Sequence, residues 1–150
     1  MGVGNALSTA IKPGTTMLLD TNVLIAYLED GQAISRAAKV LVDDWMQAGR
    51  NQAIVSMISV MELLVGPSRA GYDDSPYREF LNFYPHLTLH EVTFEIARTA
   101  AQIRAKTNAR TPDSLIIATG IIAKADYLVT NDSAWTTYAG NVLLLSEFDT

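Results

Sequence analysis

The sequence contains no cysteine, so disulfide bonds, thiolate metal ligands and a cysteine nucleophile are all excluded. It also has no apolar run near the roughly 18 residues of a membrane span, and the opening residues MGVGNALSTAIKPG lack the basic and apolar regions of a secretory signal. Charged residues are sparse, at 18% against 49% hydrophobic, which favours a folded globule. Together these absences predict a cytoplasmic protein in a reducing compartment, with no membrane partner.

The charge that is present is mostly negative. Lys and Arg number 11 against 16 Asp and Glu, a formal net charge of −5. Proteins that bind nucleic acid usually contact phosphates through Lys and Arg, so this sign needs a reason. Either part of the acidic excess forms a site whose bound cation reverses the local field, or the substrate is not a nucleic acid.

The length of 150 residues fits one compact domain. We expect a flexible lead-in over residues 1–14 and a single domain over residues 15–150. Short apolar runs alternate with amphipathic helices, which predicts a three-layer α/β/α fold around a mostly parallel sheet, because parallel strands need helical crossovers. The predicted strands are 17–19, 53–55, 87–90, 127–129 and 142–145; the clearest helices are 33–48, 76–83, 93–106 and 113–124, and a shorter one is expected to stop at residues 66–67.

Four acidic residues follow predicted strands or begin predicted helices. Each has a purely structural interpretation. Asp20 suits a helix N-cap, and Glu62 fits a capping box that starts at Ser59. Asp113 lies in a first helical turn, where the helix dipole favours an acid, and Asp132 fits a turn after a strand. Taken singly, none of the four establishes a functional site.

Their shared placement favours a functional interpretation. The carboxyl ends of parallel strands meet at one edge of a sheet, so the four carboxylates are expected to converge there. Converging carboxylates repel each other and are costly without a cation. Oxygen ligands with no cysteine point to Mg²⁺ or Mn²⁺ rather than to Zn²⁺.

Four segments around these acids resemble the motifs of the PIN-domain family, especially the VapC-type toxin ribonucleases. The likeness runs from about residue 17 to residue 147, and each motif contains one of the acids. The segments are LLDTNVLI at 18–25, SVMEL at 59–63 ahead of Gly66, TPDSLIIA at 111–118 and LVTND at 128–132.

The resemblance implies an endoribonuclease that depends on Mg²⁺ or Mn²⁺ and hydrolyses RNA phosphodiester bonds. Its acidic set, as both catalytic residues and metal ligands, would be Asp20, Glu62, Asp113 and Asp132, with Asn22 and Thr130 as polar supports. Many relatives are toxins held inactive by a small antitoxin protein, and many form homodimers.

Several other residues have two interpretations. Arg110 lies just before Asp113 and is a candidate for guiding the RNA backbone, although a solvated charge is the simpler explanation. His86 and His90 flank a short strand away from the motifs and are expected to be structural. The apolar faces of helices 33–48 and 76–84 suit either a partner groove or the core.

Two alternatives to an RNA-cleaving enzyme stay open. One is a catalytically silent PIN-like module that binds RNA or protein, and four intact acids argue against it. The other is a structure-specific DNA nuclease, for which the short chain offers little room.

Overall fold

A computed structural model describes residues 2–148 of the chain. Within this range the structure contains one sheet of five parallel strands in the order β3-β2-β1-β4-β5. Helices cover both of its faces, so the predicted α/β/α fold is confirmed. The strands are β1 (Thr16–Leu19), β2 (Gln52–Ser56), β3 (Leu87–His90), β4 (Tyr127–Thr130) and β5 (Val142–Leu144).

The helices predicted at 33–48, 76–83, 93–106 and 113–124 are present, with ends that shift by one or two residues. The third helix is α-helical for five residues and then continues as a π-helix over Val40–Met46, and short 3₁₀ turns flank the last strand at Ser133–Thr137 and Leu145–Phe148. The α-helices are α1 (Val3–Ala10), α2 (Thr21–Leu28), α3 (Ser35–Lys39), α4 (Met57–Ala70), α5 (Ser75–Phe83), α6 (Phe94–Lys106) and α7 (Thr111–Ile122).

The central strand β1 separates two hydrophobic cores. Met17 and Leu19 lie in the larger core, with apolar residues of α1 to α5, whereas Leu18 lies in a smaller core with Ile116 and Ile117 of α7. Successive side chains of a strand point to opposite faces of the sheet, so all three are fully buried. This explains why the strand is a continuous apolar run.

The segment expected to be a flexible lead-in is packed against the domain. Residues Val3–Ala10 form α1, and Leu7 and Ile11 are fully buried in the larger core. Asn51, also buried, donates side-chain hydrogen bonds to the carbonyl oxygens of Lys12 and Thr15, at 3.0 and 3.1 Å. The expected boundary at residue 14 is therefore corrected: a helix without a strong local signal is held there by tertiary contacts.

A second correction concerns the end of α4. Gly66 and Pro67 were expected to stop this helix, but it continues to Ala70. The proline is buried one turn after the buried Leu63, so packing offsets the missing backbone hydrogen bond. The helix ends at Gly71, whose φ of 70° gives the left-handed C-cap that glycine adopts readily.

Gly120 marks the closest approach of α7 to the sheet. A Cβ added at this position would overlap Leu128 Cδ2 and lie 3.3 Å from Leu18 Cβ. We expect Gly120→Ala to lower the free energy of unfolding by about 1–2 kcal/mol, because overpacking in a rigid core outweighs the higher helix propensity of alanine.

Urea denaturation measures this effect, and Gly4→Ala in α1 is the matched control. A Cβ at Gly4 would meet its nearest neighbour, Val40 Cγ1, at an ordinary 3.9 Å. The control should therefore be neutral or slightly stabilising. Equal effects of the two substitutions would show that α7 has space for a side chain.

The topology places the ends of β1 and β4 at the switch point of the sheet. From β1 the chain continues to β2 and β3 on one side, and then crosses to β4 and β5 on the other. Groups just beyond the carboxyl ends of these strands line the crevice where α/β proteins usually bind ligands. Among residues 2–148, no helix has the length and apolar character needed to cross a membrane.

Candidate active site at the carboxyl edge of the sheet

Asp20 lies at the centre of this edge, between β1 and α2. It is 5% exposed, and its two carboxylate oxygens accept hydrogen bonds from the Thr21 backbone N–H and the Thr130 hydroxyl, both at 2.7 Å. Burial raises the pKa of Asp20 to about 7. The two hydrogen bonds oppose this shift, whereas the carboxylates of Asp113 and Glu62 add to it. Asp20 is therefore an N-cap, as its sequence position suggests, and also a buried acid within reach of two others.

Glu62 does not belong to a capping box. The helix α4 begins at Met57, and its N-cap is Ser56, whose hydroxyl oxygen accepts a hydrogen bond from the Ile58 N–H at 3.1 Å. Glu62 lies beyond the first turn, and its Oε1 is 2.7 Å from the Thr21 hydroxyl. The structural interpretation favoured by the sequence is therefore wrong, and the carboxylate is turned toward the residue that follows Asp20.

Asp113 occupies the first turn of α7, as the sequence predicts, and is 9% exposed. Arg110 Nε lies 3.3 Å from its Oδ2, while the Arg110 side chain stays 79% exposed. The loop before the helix is fixed by Arg104, which donates hydrogen bonds to the Ala109 carbonyl at 3.1 Å and to the Thr111 hydroxyl at 2.9 Å. Arg104 thus stabilises the loop, and Arg110 is the cation of this loop that faces solvent.

Asp132 has the turn role that its sequence context suggests. One carboxylate oxygen accepts a hydrogen bond from the Ala134 N–H at 3.0 Å, which caps the 3₁₀ turn. Its backbone N–H donates to the hydroxyl of Thr130 at 3.0 Å, and the same hydroxyl donates to Asp20. Asp132 is therefore linked to Asp20 through the Thr130 hydroxyl, by its backbone N–H and not by its carboxylate.

The predicted polar supports lie between these acids. Thr130 is fully buried, and its hydroxyl is the atom shared by Asp20 and the Asp132 backbone. The Asn22 Oδ1 accepts a hydrogen bond from the Asn131 N–H at 3.1 Å, and its Nδ2 is 3.4 Å from the Thr130 hydroxyl. These contacts fasten the start of α2 to the loop after β4.

The four carboxylates have the chemistry that a hard divalent cation prefers, although their side chains are not arranged around a common point. All the candidate ligands are carboxylate oxygens, which hard divalent cations prefer, and burial disfavours the ionised form of Asp20 by raising its pKa. In the part of the chain from residue 2 to residue 148, no three Asp, Glu or His side chains are arranged so that they could hold a metal ion as they stand. Binding would require side-chain rotation, and Arg110 occupies one oxygen of Asp113.

The two histidines lie in structural contacts, in agreement with the expectation. His86 Nδ1 is 2.7 Å from the Met46 carbonyl oxygen, to which it donates, and its ring packs against Gly49. His90 Nδ1 is 2.9 Å from the carbonyl oxygen of Glu91. In each histidine, Nδ1 is therefore engaged by a backbone carbonyl oxygen and not by a residue of the candidate site.

The family model of the PIN domain matches residues 17–141 of this sequence. This range includes all four acidic motifs. The chain belongs to the PIN domain family. None of the curated proteins matches this sequence.

Several solved structures match this chain over nearly the whole length of their own chains. A chain of a toxin-antitoxin complex from Klebsiella pneumoniae is 25% identical, with a TM-score of 0.69 over 86% of this chain and 97% of that one. A chain of FitAcB from Neisseria gonorrhoeae is 24% identical, with a TM-score of 0.66 over 86% and 97%. VapC20 of Mycobacterium tuberculosis, described as a toxin that cleaves the sarcin-ricin loop, is 14% identical, with a TM-score of 0.65 over 81% and 93%.

Sequence reasoning missed two polar residues of this PIN domain site, Thr21 and Ser59. Thr21 contacts Glu62 and Ser59 through its hydroxyl and Asp20 through its backbone N–H. Their positions carried a weak signal, because Thr21 directly follows Asp20 and Ser59 precedes Glu62 by three residues on one helix face. The capping-box interpretation assigned Ser59 to a different task.

Proposed function

We propose that this PIN domain is an endoribonuclease that depends on Mg²⁺ or Mn²⁺ and acts as the toxin of a toxin-antitoxin pair. The observation that carries the proposal is the approach of two carboxylates from distant segments, Glu62 and Asp113, to the buried Asp20, whose pKa they help to raise. Such a cluster is unfavourable unless a cation uses it. A silent binding module has no need of it.

Four acids would hold the cation. Asp20, Asp113 and Asp132 would be direct ligands, and Glu62 would be a ligand through a water molecule or the base for the attacking water. The chemistry that a divalent cation supplies when bound is acidification of a water molecule and neutralisation of negative charge on a phosphodiester. Thr130 keeps Asp20 oriented, and Asn22 keeps the loop of Asp132 against α2.

The test is cleavage of a single-stranded RNA by purified protein in Mg²⁺, in Mn²⁺ and in EDTA, with single-stranded DNA and a branched DNA of matched sequence in parallel. The Asp20→Asn protein, purified identically, controls for contaminating nucleases. Cleavage of RNA that requires metal and Asp20 supports the proposal. Cleavage of DNA alone would favour the structure-specific DNA nuclease, and equal cleavage by both proteins would refute the mechanism.

Arg110 is proposed to contact the RNA backbone. Its side chain is exposed and reaches the site through Asp113, so it offers positive charge where the net charge of the chain is unfavourable. We expect Arg110→Ala to raise the KM for RNA on the order of tenfold at low salt and to reduce the salt dependence of kcat/KM, because one phosphate contact is lost.

Arg98→Ala is the matched control for Arg110. Arg98 is 63% exposed on α6 and pairs with Glu95 at 3.8 Å on the same helix. Its removal should change neither KM nor the salt dependence. If both substitutions have the same effect, Arg110 acts only through the general charge of the protein.

An antitoxin partner is proposed on the same basis. A chain of similar fold comes from a structure described as a toxin-antitoxin complex. This chain offers an apolar groove between α2 and α5. The groove, about 420 Å³, includes Leu28, Phe80 and Phe83, and Phe83 is 79% exposed. An amphipathic helix or extended segment of a small protein would cover these side chains.

Growth assays with the product of the neighbouring open reading frame test the antitoxin. Phe83→Asp should abolish rescue by that product, while leaving cleavage of RNA by the free toxin unchanged. Rescue that is indifferent to Phe83→Asp would place the partner elsewhere. The homodimer implied by the resemblance stays a prediction, which sedimentation of the purified chain measures.

A further inference from the structure

Thr21 contacts two of the acids in the candidate site with two different groups. Its backbone N–H, which has no helical partner at the first position of α2, donates to Asp20 Oδ1 at 2.7 Å. Its side-chain hydroxyl lies 2.7 Å from Glu62 Oε1 and 2.8 Å from the Ser59 hydroxyl. The residue is 9% exposed, so water does not readily replace these bonds.

The direction of the side-chain bonds follows from counting protons. A threonine hydroxyl has one proton and can also accept, whereas an ionised carboxylate can only accept. At 2.7 Å from Glu62, the Thr21 hydroxyl must therefore donate to the carboxylate. The fully buried Ser59 hydroxyl then donates to Thr21, which leaves the Thr21 proton directed at Glu62.

We propose that Thr21, oriented by Ser59, is the positioning residue that holds Glu62 at a fixed distance from Asp20. The activity part of this inference rests on the proposed function. Glu62 is half-buried on α4 and its carboxylate is repelled by Asp20 once both are ionised. A donor fixed by the backbone next to Asp20 keeps the two carboxylates together despite this repulsion.

This role differs from that of an ordinary buried threonine. Thr119 of α7 is buried as well, at 0% exposed against 9% for Thr21, but its hydroxyl donates to the Leu115 carbonyl of its own helix at 2.8 Å and contacts no acid. Removal of the Thr119 hydroxyl therefore reports the general cost of changing a buried threonine to valine. It provides the matched control for Thr21.

The experiment compares Thr21→Val, Thr21→Ser and Thr119→Val with the wild-type full chain, using Mn²⁺ affinity by calorimetry and the separate kcat and KM for RNA. We expect Thr21→Val to weaken Mn²⁺ binding by roughly 10–100-fold and to lower kcat by a similar factor, because an oriented ligand is lost, with KM little changed. Thr21→Ser keeps the donor and should restore both within about threefold. Ser59→Ala should fall between them, because Thr21 can still donate to Glu62 without it.

A second readout needs neither metal nor activity. In EDTA, a double-mutant cycle between Thr21→Val and Glu62→Ala measures the coupling of the two side chains through the unfolding equilibrium. We expect a coupling on the order of tenfold in that equilibrium constant, as for a hydrogen bond to a charged group. The same cycle between Thr119→Val and Glu62→Ala should give none.

The outcomes separate this inference from the proposed function. Wild-type Mn²⁺ affinity and kcat in Thr21→Val, or equal losses in Thr119→Val, would overturn the positioning role. If the wild type neither binds Mn²⁺ nor cleaves RNA, the proposed function fails, and the cycle alone decides whether Thr21 holds Glu62. A cycle without coupling overturns the inference in either case.

Discussion

Replacing Asp20 by asparagine is expected to abolish RNA cleavage and, without metal, to make the folded protein more stable above pH 7. The loss of cleavage should be on the order of 10³-fold or more, because the carboxylate at the centre of the charge-stabilising site is removed. The gain in stability has a separate cause. Asp20 is buried beside two other acids, and asparagine has no charge to bury.

The pH dependence follows from the pKa of Asp20. In the unfolded chain the carboxyl group ionises near its model value of 3.8, whereas in the folded protein it keeps its proton up to a pKa of about 7. The stability that the protonated group contributes is complete below pH 3.8 and is lost as the pH rises through 7. The advantage of Asp20→Asn over the wild type should therefore grow between pH 4 and pH 8, by up to about 4 kcal/mol.

Urea denaturation in EDTA across this pH range measures the difference. In excess Mg²⁺ at pH 8 the order should reverse, because a cation that binds only the folded wild type stabilises it by mass action. A difference between the two proteins that stays constant from pH 4 to pH 8 would show that Asp20 is ionised in the fold without a cation. That result would contradict the electrostatic basis of the site.

Leu7→Ala is expected to lower the free energy of unfolding by about 2–5 kcal/mol, which is large for a residue in the first helix of the chain. Leu7 is fully buried in the larger core, so its removal leaves a cavity between α1 and the rest of that layer. A flexible lead-in would tolerate the same change without cost. Thermal or urea denaturation of the purified protein distinguishes the two.

Thr9→Ala is the matched control in the same helix. Thr9 is exposed, and its hydroxyl contacts only the Asn5 carbonyl of its own helix, at 3.3 Å. It should change stability by a few tenths of a kcal/mol at most. Since Leu7→Ala changes no charge, its effect should also be independent of pH, and it serves as a control for the Asp20 series.

The regular part of the fold was predictable because its signals are local. The apolar run before Asp20 and the periodicity of helices α6 and α7 indicate strand and helix from neighbours in the sequence. Alternating strands and helices then imply a parallel sheet, which the structure confirms. The helix α1 was missed because its stability comes from contacts of Leu7 and Ile11 with distant residues, and such contacts leave little local pattern.

The candidate site was predictable in its residue types and less so in its roles. The positions of the four acids after strands and at helix starts indicated convergence, and the structure brings Asp20, Glu62 and Asp113 within electrostatic range while Asp132 connects through Thr130. Taken singly, Glu62 also fitted a cap, because Ser59 three residues earlier matches the capping pattern. In the structure α4 begins about one turn earlier, so neither Ser59 nor Glu62 caps it, and both contact Thr21.

The sequence alone determined the fold class, the family motifs and the oxygen-only chemistry of the candidate ligands, since each of these is written in short segments. The tertiary structure decided which acid is buried, which hydroxyl donates to which carboxylate, and which acid contacts Arg110, namely Asp113. These depend on distances between residues far apart in the chain, such as Thr21 and Glu62 or Asp20 and Thr130. Burial and proximity set the pKa of Asp20, and neither is a property of any one segment.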